Sequence, residues 1–281
     1  MRRQLSFLCE GRQLAATLDY ANGETGLLIV TGGRQTRVGP HRLMAQVGQE
    51  AAKAGYPVFR FDRRGVGDSE GVDRGFEGSC PDIIAAATAF RENCPGMSHV
   101  YALGLCDGAT AIALYHSHAN LGGMILLNPW VIEASADNPP PAAVRAYYRD
   151  RLFSLSGWRR LITRGFNPAA LFRGLKTAVS TPNQSLAYDV MTSLAASGIP
   201  VHILLARQDA TARAFLNEYQ SKPGAALREA SGVNLEIRDT ASHSFANGGD
   251  KQWLIGKIIA ALAGSSRMVA EEGLEPPTRG L

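Results

Sequence analysis

Short, almost purely apolar runs alternate along this chain with longer segments in which alanines and other apolar residues are spaced among polar ones. Two strand candidates open it, Gln4 to Cys9 and Gln13 to Asp19, joined by the turn-forming pair Glu10–Gly11. GLLIVTGG, Gly26 to Gly33, reads as a buried strand that runs into a glycine loop, and His41 to Ala54 as a helix stopped by Gly55. Tyr56 to Asp62 is the next strand, followed by the glycine-rich RRGVGDSEG. Cys80 to Glu92 predicts a helix, Val100 to Leu105 a strand, and Ala109 to Tyr115 a helix. Gly122 to Trp130, Pro200 to Asp209 and the start of NLEIRDTASHSF supply three more strands, and KQWLIGKIIAALAG a closing helix. Strands apolar on both faces and separated by helices predict parallel βαβ units. The expected class is therefore α/β, a mostly parallel central sheet with helices on both faces.

The alternation breaks after Trp130. Residues 131–195, opened by NPPPAA and rich in arginine and aromatics, predict an inserted helical cap over the carboxyl ends of the strands, where open α/β sheets bind ligands. Residues 1–263 are then one domain, and the polar, Pro- and Gly-containing residues 264–281 a disordered tail. A chain of 281 residues can bury the core this requires. No stretch approaches the ~20 apolar residues of a membrane-spanning helix, and the amino terminus does not have the pattern of an export signal, so the expected compartment is the cytoplasm. Cys9, Cys80, Cys94 and Cys106 have neither CxxC nor metal-ligand spacing, which predicts free thiols, no metal and no cofactor. The cap region carries eight basic and four acidic residues, and so holds the whole net charge of +4. No nucleic-acid reader motif accompanies it. Its arginines either face solvent from a lid or meet an anionic head group or membrane surface.

The centre of YALGLCDGATAIALYH carries the candidate chemistry. Cys106 falls at a strand-to-helix corner between Gly104 and Gly108, the position of the serine in the G-x-S-x-G nucleophile elbow. A buried structural cysteine is the competing reading. Chain order nucleophile, acid, base then selects Asp209, just past the strand HILLAR, with a helix N-cap as its other and compatible role. Asp239 and Glu133 are weaker candidates. His243, in the small-residue loop TASHSFAN, follows Asp209 in the chain and is the candidate base; His41, His99, His116, His118 and His202 read as packed or surface residues. The oxyanion hole would use the backbone N–H of Asp107 and one from the TGGRQ loop, Gly33 or its neighbour Arg34. Trp130 and Trp158 are the candidate substrate contacts, for a small-molecule acyl compound.

Residues 3 to 263 resemble an α/β-hydrolase, and FDRRGVGDSEG resembles the D-x-R-G-x-G-x-S loop common in that superfamily, here Asp62, Arg64, Gly65, Gly67 and Ser69. More narrowly, TGGRQTRVGPHR, FRFDRRGVGDSEG, GLCDGA and LLNPW together are similar to the exosortase A system-associated hydrolase 1 family. Those proteins are encoded alongside bacterial exopolysaccharide and protein-sorting genes. The resemblance implies hydrolase chemistry and names no substrate; an esterase or thioesterase acting through Cys106, His243 and Asp209 is the expected function. A cysteine at a helix N-terminus beside a histidine is expected to have a lowered pKa, whereas the charge of Asp107 would oppose ionisation unless an arginine such as Arg34 or Arg37 neutralised it. An acyltransferase with the same triad, and a non-catalytic binding protein on a hydrolase fold, are the alternatives.

Overall fold

The structure, a computed structural model, describes residues 1–132 and 185–272. Eight strands form a single sheet: β1 (Arg2–Cys9), β2 (Arg12–Asp19), β3 (Thr25–Val30), β4 (Val58–Phe61), β5 (His99–Leu105), β6 (Gly123–Leu127), β7 (Val201–Ala206) and β8 (Val233–Arg238). Among the described residues seven α-helices connect or close them: α1 (Leu43–Lys53), α2 (Cys80–Asn93), α3 (Asp107–Tyr115), α4 (Leu186–Ala195), α5 (Ala210–Gln220), α6 (Ala225–Glu229) and α7 (Gly248–Glu272). The spatial order is β1-β2-β4-β3-β5-β6-β7-β8. β1 and β2 pair antiparallel, as do β2 and β4, and the remaining pairs are parallel.

Period-two alternation sends each central strand's side chains to two separate cores. From β3, Leu28 and Val30 join one and Leu27 and Ile29 the other; from β5, Val100 and Ala102 part from Tyr101, Leu103 and Leu105 in the same way. Helices α2, α3, α4 and α5 cover the first face through residues such as Phe90, Ile112, Val190 and Phe215. α1 and α7 cover the second through Leu43, Val47, Leu254 and Ile258. Both faces of the central strands are thereby dry, and the loops at the carboxyl ends of the parallel strands β3, β5, β7 and β8 gather along one edge.

Four expectations need adjusting. The strand read as Gly122 to Trp130 stops at Leu127, because Asn128 takes a left-handed φ of 43° and turns the chain out of the sheet. Residues 186–195, read as cap, are α4; Val190, Met191 and Leu194 lie in the main core, and Ser193 Oγ donates to the Ala113 carbonyl at 2.6 Å. This helix belongs to the body of the domain, and residues 133–184 of the expected cap lie outside the described residues. The closing helix runs to Glu272, past the expected start of a tail at 264. SSRMVAEE holds neither Gly nor Pro before Gly273, so nothing in it breaks a helix already under way. Lastly, the short helix α6 lay unread in the polar stretch after α5.

Candidate active site

The elbow follows from close packing at one corner. Cys106 joins β5 to α3 with φ 59° and ψ −126°, a conformation that a residue bearing a Cβ adopts only when its surroundings enforce it. Its N–H donates to the Leu127 carbonyl at 2.9 Å, and its own carbonyl accepts from Ala109 and Trp130 N–H. The flanking glycines are needed for space: a Cβ on Gly104 would lie 2.6 Å from Ala109 N, and one on Gly108 2.5 Å from the Val30 carbonyl. Strand, helix and the β3 loop therefore meet backbone to backbone, with the sulfur held at the tip of the turn.

Asp209 follows β7 and His243 lies in the loop between β8 and α7, and the fold brings them together. His243 Nδ1 and Asp209 Oδ2 are 3.0 Å apart. Asp209 is also the N-cap of α5, accepting from Ala212 N–H at 2.9 Å, so the capping role and the contact with histidine coexist on one carboxylate. Burial alone would raise its pKa, but hydrogen bonds from His243 and from the first turn of α5 outweigh this and hold it below the ordinary carboxylate value. No hydrogen bond among the described residues joins His243 to the Cys106 thiol. Of the weaker acid candidates, Asp239 is largely exposed beside Arg207 and Gln208, and Glu133 lies outside the described residues. His116 bonds the Ala113 carbonyl within its own helix, His202 lies within β7, and His41, His99 and His118 sit at the ends of other elements.

The thiol contradicts the expectation of a lowered pKa. Burial pushes Cys106 up, the Asp107 carboxylate pushes it further, and a hydrogen bond from the Asp107 N–H offsets only part of this. That N–H points at the sulfur, which places it beside the reacting atom. The second expected donor is occupied: Gly33 N–H donates to Asp107 Oδ1 at 2.5 Å. Arg34 N–H, its alternative, donates to none of the described residues. The arginines expected to neutralise Asp107 are engaged elsewhere, Arg34 with Asp73 at 4.0 Å and Arg37 with Asp62 and Asp68. Asp107 is buried and braces the TGGRQ loop against the elbow, and Gly32 is glycine because a Cβ there would strike that carboxylate. Trp130 is also buried in the main core; its carbonyl accepts from Thr110 at 2.6 Å. Trp158 lies outside the described residues.

Two residues escaped the sequence reading. Asn128, wholly buried in the LLNPW turn, donates through Nδ2 to the His243 carbonyl at 2.7 Å and accepts at Oδ1 from Ala206 N–H at 2.8 Å. It ties the end of β6 to the end of β7 and to the histidine loop; an asparagine at a strand end before proline was the available signal. Asp250 anchors the same loop from α7, taking Thr240 Oγ1 at 2.6 Å and Arg238 Nε at 2.9 Å. The D-x-R-G-x-G-x-S residues act as scaffold. Asp62 accepts from Arg37 and Asp68 N–H, Arg64 pairs with Asp82 and Glu10, and Ser69 bridges the Asp62 carbonyl to Ala15 N–H.

Comparisons with known proteins agree with this layout. The sequence model of the alpha/beta hydrolase family matches residues 28–249. An esterase of Pyrococcus furiosus, Pf2001, superposes with a TM-score of 0.66 at 16% identity, over 94% of this chain and 90% of that one. The alpha/beta hydrolase GrgF from a Penicillium species gives 0.64 at 17% identity, over 93% and 98%. The dienelactone hydrolase of Anabaena variabilis gives 0.61 at 13% identity, over 94% and 97%. At such identities the likeness is one of fold. The comparison with curated proteins returned no match. Among the described residues, no helix is long and apolar enough to cross a membrane.

Proposed function

Since the chain belongs to the alpha/beta hydrolase family, and its fold is that of esterase-like hydrolases, we propose that it cleaves ester or thioester bonds through Cys106, His243 and Asp209. The observation that carries this reading is the His243–Asp209 pair, 3.0 Å apart at the same sheet edge as a cysteine in a strained elbow. Asp209 fixes the imidazole with Nδ1 toward the carboxylate, leaving Nε2 to act as base. The Cys106 thiol is neutral at rest, so Nε2 must remove its proton as sulfur attacks the acyl carbon. The carbonyl oxygen gathers charge against the N–H groups of Asp107 and Arg34. Collapse breaks the bond to the leaving group, which takes the proton from His243, and leaves an acyl thioester on Cys106. Water, deprotonated by the same nitrogen, then attacks the thioester; the acid departs and the thiol is restored. The four motifs similar to the exosortase A system-associated hydrolase 1 family support an acyl substrate linked to exopolysaccharide chemistry.

Intact-mass spectrometry after exposure to a panel of activated esters and thioesters tests the reading. The expected result is one acyl adduct, lost in Cys106→Ala together with turnover, which falls by roughly three orders of magnitude or more. Turnover that survives in Cys106→Ala overturns it.

A further inference from the structure

Three arginines are buried in the loop and strand around Asp62, and two of them are matched to carboxylates. Arg60 pairs with Asp19 at 3.1 Å, and Arg64 with Asp82 and Glu10. The third, Arg63, is 2% exposed and has no carboxylate partner among the described residues. Its Nη2 donates to the Gly33 carbonyl, while Nε and Nη1 are buried with no hydrogen-bond partner. Arg63 follows the end of β4 and contacts the loop at the end of β3, on the edge that carries Cys106. Gly33 is the shared link: its carbonyl takes Arg63, and its N–H takes the carboxylate of Asp107, the residue after the nucleophile. Gln35, two residues further along this loop, has a buried and equally unpartnered Oε1.

A buried guanidinium cannot shed its proton, and a buried cation without a counter-charge is costly. Nη2 bonded to a carbonyl leaves N–H donors on Nε and Nη1, on opposite sides of the guanidinium, so that an anionic oxygen meets one of them. We propose that Arg63 anchors a carboxylate carried by the substrate, so that the preferred substrates are esters or thioesters with a second, free carboxylate, such as half-esters of small dicarboxylic acids. The proposal rests on the acyl-transfer reading above and names the substrate class of the same site. Bound there, the carboxylate would complete the charge balance of Arg63 and be held one residue from the TGGRQ donors.

Matched ester pairs test this. For the wild-type protein kcat/KM is measured for mono-4-nitrophenyl glutarate against 4-nitrophenyl valerate, and for 4-carboxyphenyl butyrate against phenyl butyrate. The charged member of at least one pair should be favoured by at least about tenfold, the scale of a buried hydrogen bond to a charged group. Arg63→Gln should reduce that ratio to near one, and Arg63→Lys should retain part of it. In parallel, the thermal midpoint is followed with glutarate, inorganic phosphate or chloride at equal ionic strength. Glutarate should raise it most in the wild type and have no such effect in Arg63→Gln. Should Arg63→Gln not fold, Arg63→Lys and the wild-type measurements decide. Turnover without charge preference, with no stabilisation by glutarate, overturns the carboxylate site and leaves the hydrolase reading standing. Arg63-dependent stabilisation by glutarate with no ester cleaved does the reverse. Stabilisation by phosphate above glutarate overturns the assignment to a carboxylate.

Discussion

The Cys106 sulfur sits where the first turn of a helix offers it an N–H, yet burial and the Asp107 carboxylate raise its pKa. Burial first, and then the nearby Asp107 carboxylate, outweigh the partial positive charge of the helix end. The signal legible in the sequence was the residue type and its corner. The balance of charge depends on where Asp107 points, and its carboxylate folds back onto Gly33 N–H at 2.5 Å. One outcome follows for Asp107→Asn. Its amide oxygen can still accept from Gly33, but the charge that raises the thiol is gone, so the pKa falls and the thiolate fraction at neutral pH rises. Alkylation of Cys106 by iodoacetamide should therefore be faster in Asp107→Asn than in the wild type at pH 7. In the wild type the rate should keep climbing past the ordinary thiol value of 9.0. Equal rates across that range would mean that Asp107 does not control the sulfur.

At the scale of elements, the glycines divide into those the fold needs and those it tolerates. Gly104, on β5, has no room for a side chain: an added Cβ would lie 2.6 Å from the backbone of Gly108 and Ala109, which cannot yield as a flexible side chain can. Gly256, inside α7, would meet nothing within 4 Å. Gly104→Ala should accordingly lower stability by about 1–3 kcal/mol through overpacking. Gly256→Ala should raise it by about 0.5–1 kcal/mol, by restricting the unfolded chain and favouring the helix. Denaturant unfolding of both variants reads the two signs, and a stabilised Gly104→Ala would contradict the close strand–helix approach. The same physics explains what was readable beforehand. Strands β3, β5 and β7 announced themselves because both faces are buried, which leaves uninterrupted apolar runs. The end of β6 did not, since LLNPW stays apolar past the point where Asn128 turns the backbone. The continuation of α7 to Glu272 has no apolar periodicity to announce it, and helix propensity does not require apolar residues.

Across the whole molecule the proposed triad is spread over residues 106, 209 and 243, and its geometry depends on how three strand ends are held together. Chain order pointed to Asp209 and His243, and the ends of β7 and β8, neighbours in the sheet, bring the two within 3.0 Å of each other. What clamps them was not legible, since a hydrogen bond from a side chain to a distant backbone leaves no periodic trace. Asn128 supplies that clamp. It is wholly buried, its amide joins Ala206 N–H to the His243 carbonyl, and its left-handed φ is one that asparagine tolerates. Asn128→Ala leaves the buried Ala206 N–H without a partner, at about 1–3 kcal/mol, and the part-buried His243 carbonyl without this one, at less, and frees the loop that carries His243. In the proposed mechanism this displaces Nε2 from the thiol, so kcat should fall by up to about 100-fold while KM changes little. A purely structural role would lower stability without this split, so the deciding measurement is the double mutant with His243→Ala. There the stability loss should persist, because the two backbone groups are still unpaired. The activity loss should vanish, because no imidazole remains to be misplaced. A further drop in kcat by the same factor in that background would separate Asn128 from the histidine and leave it a structural link alone.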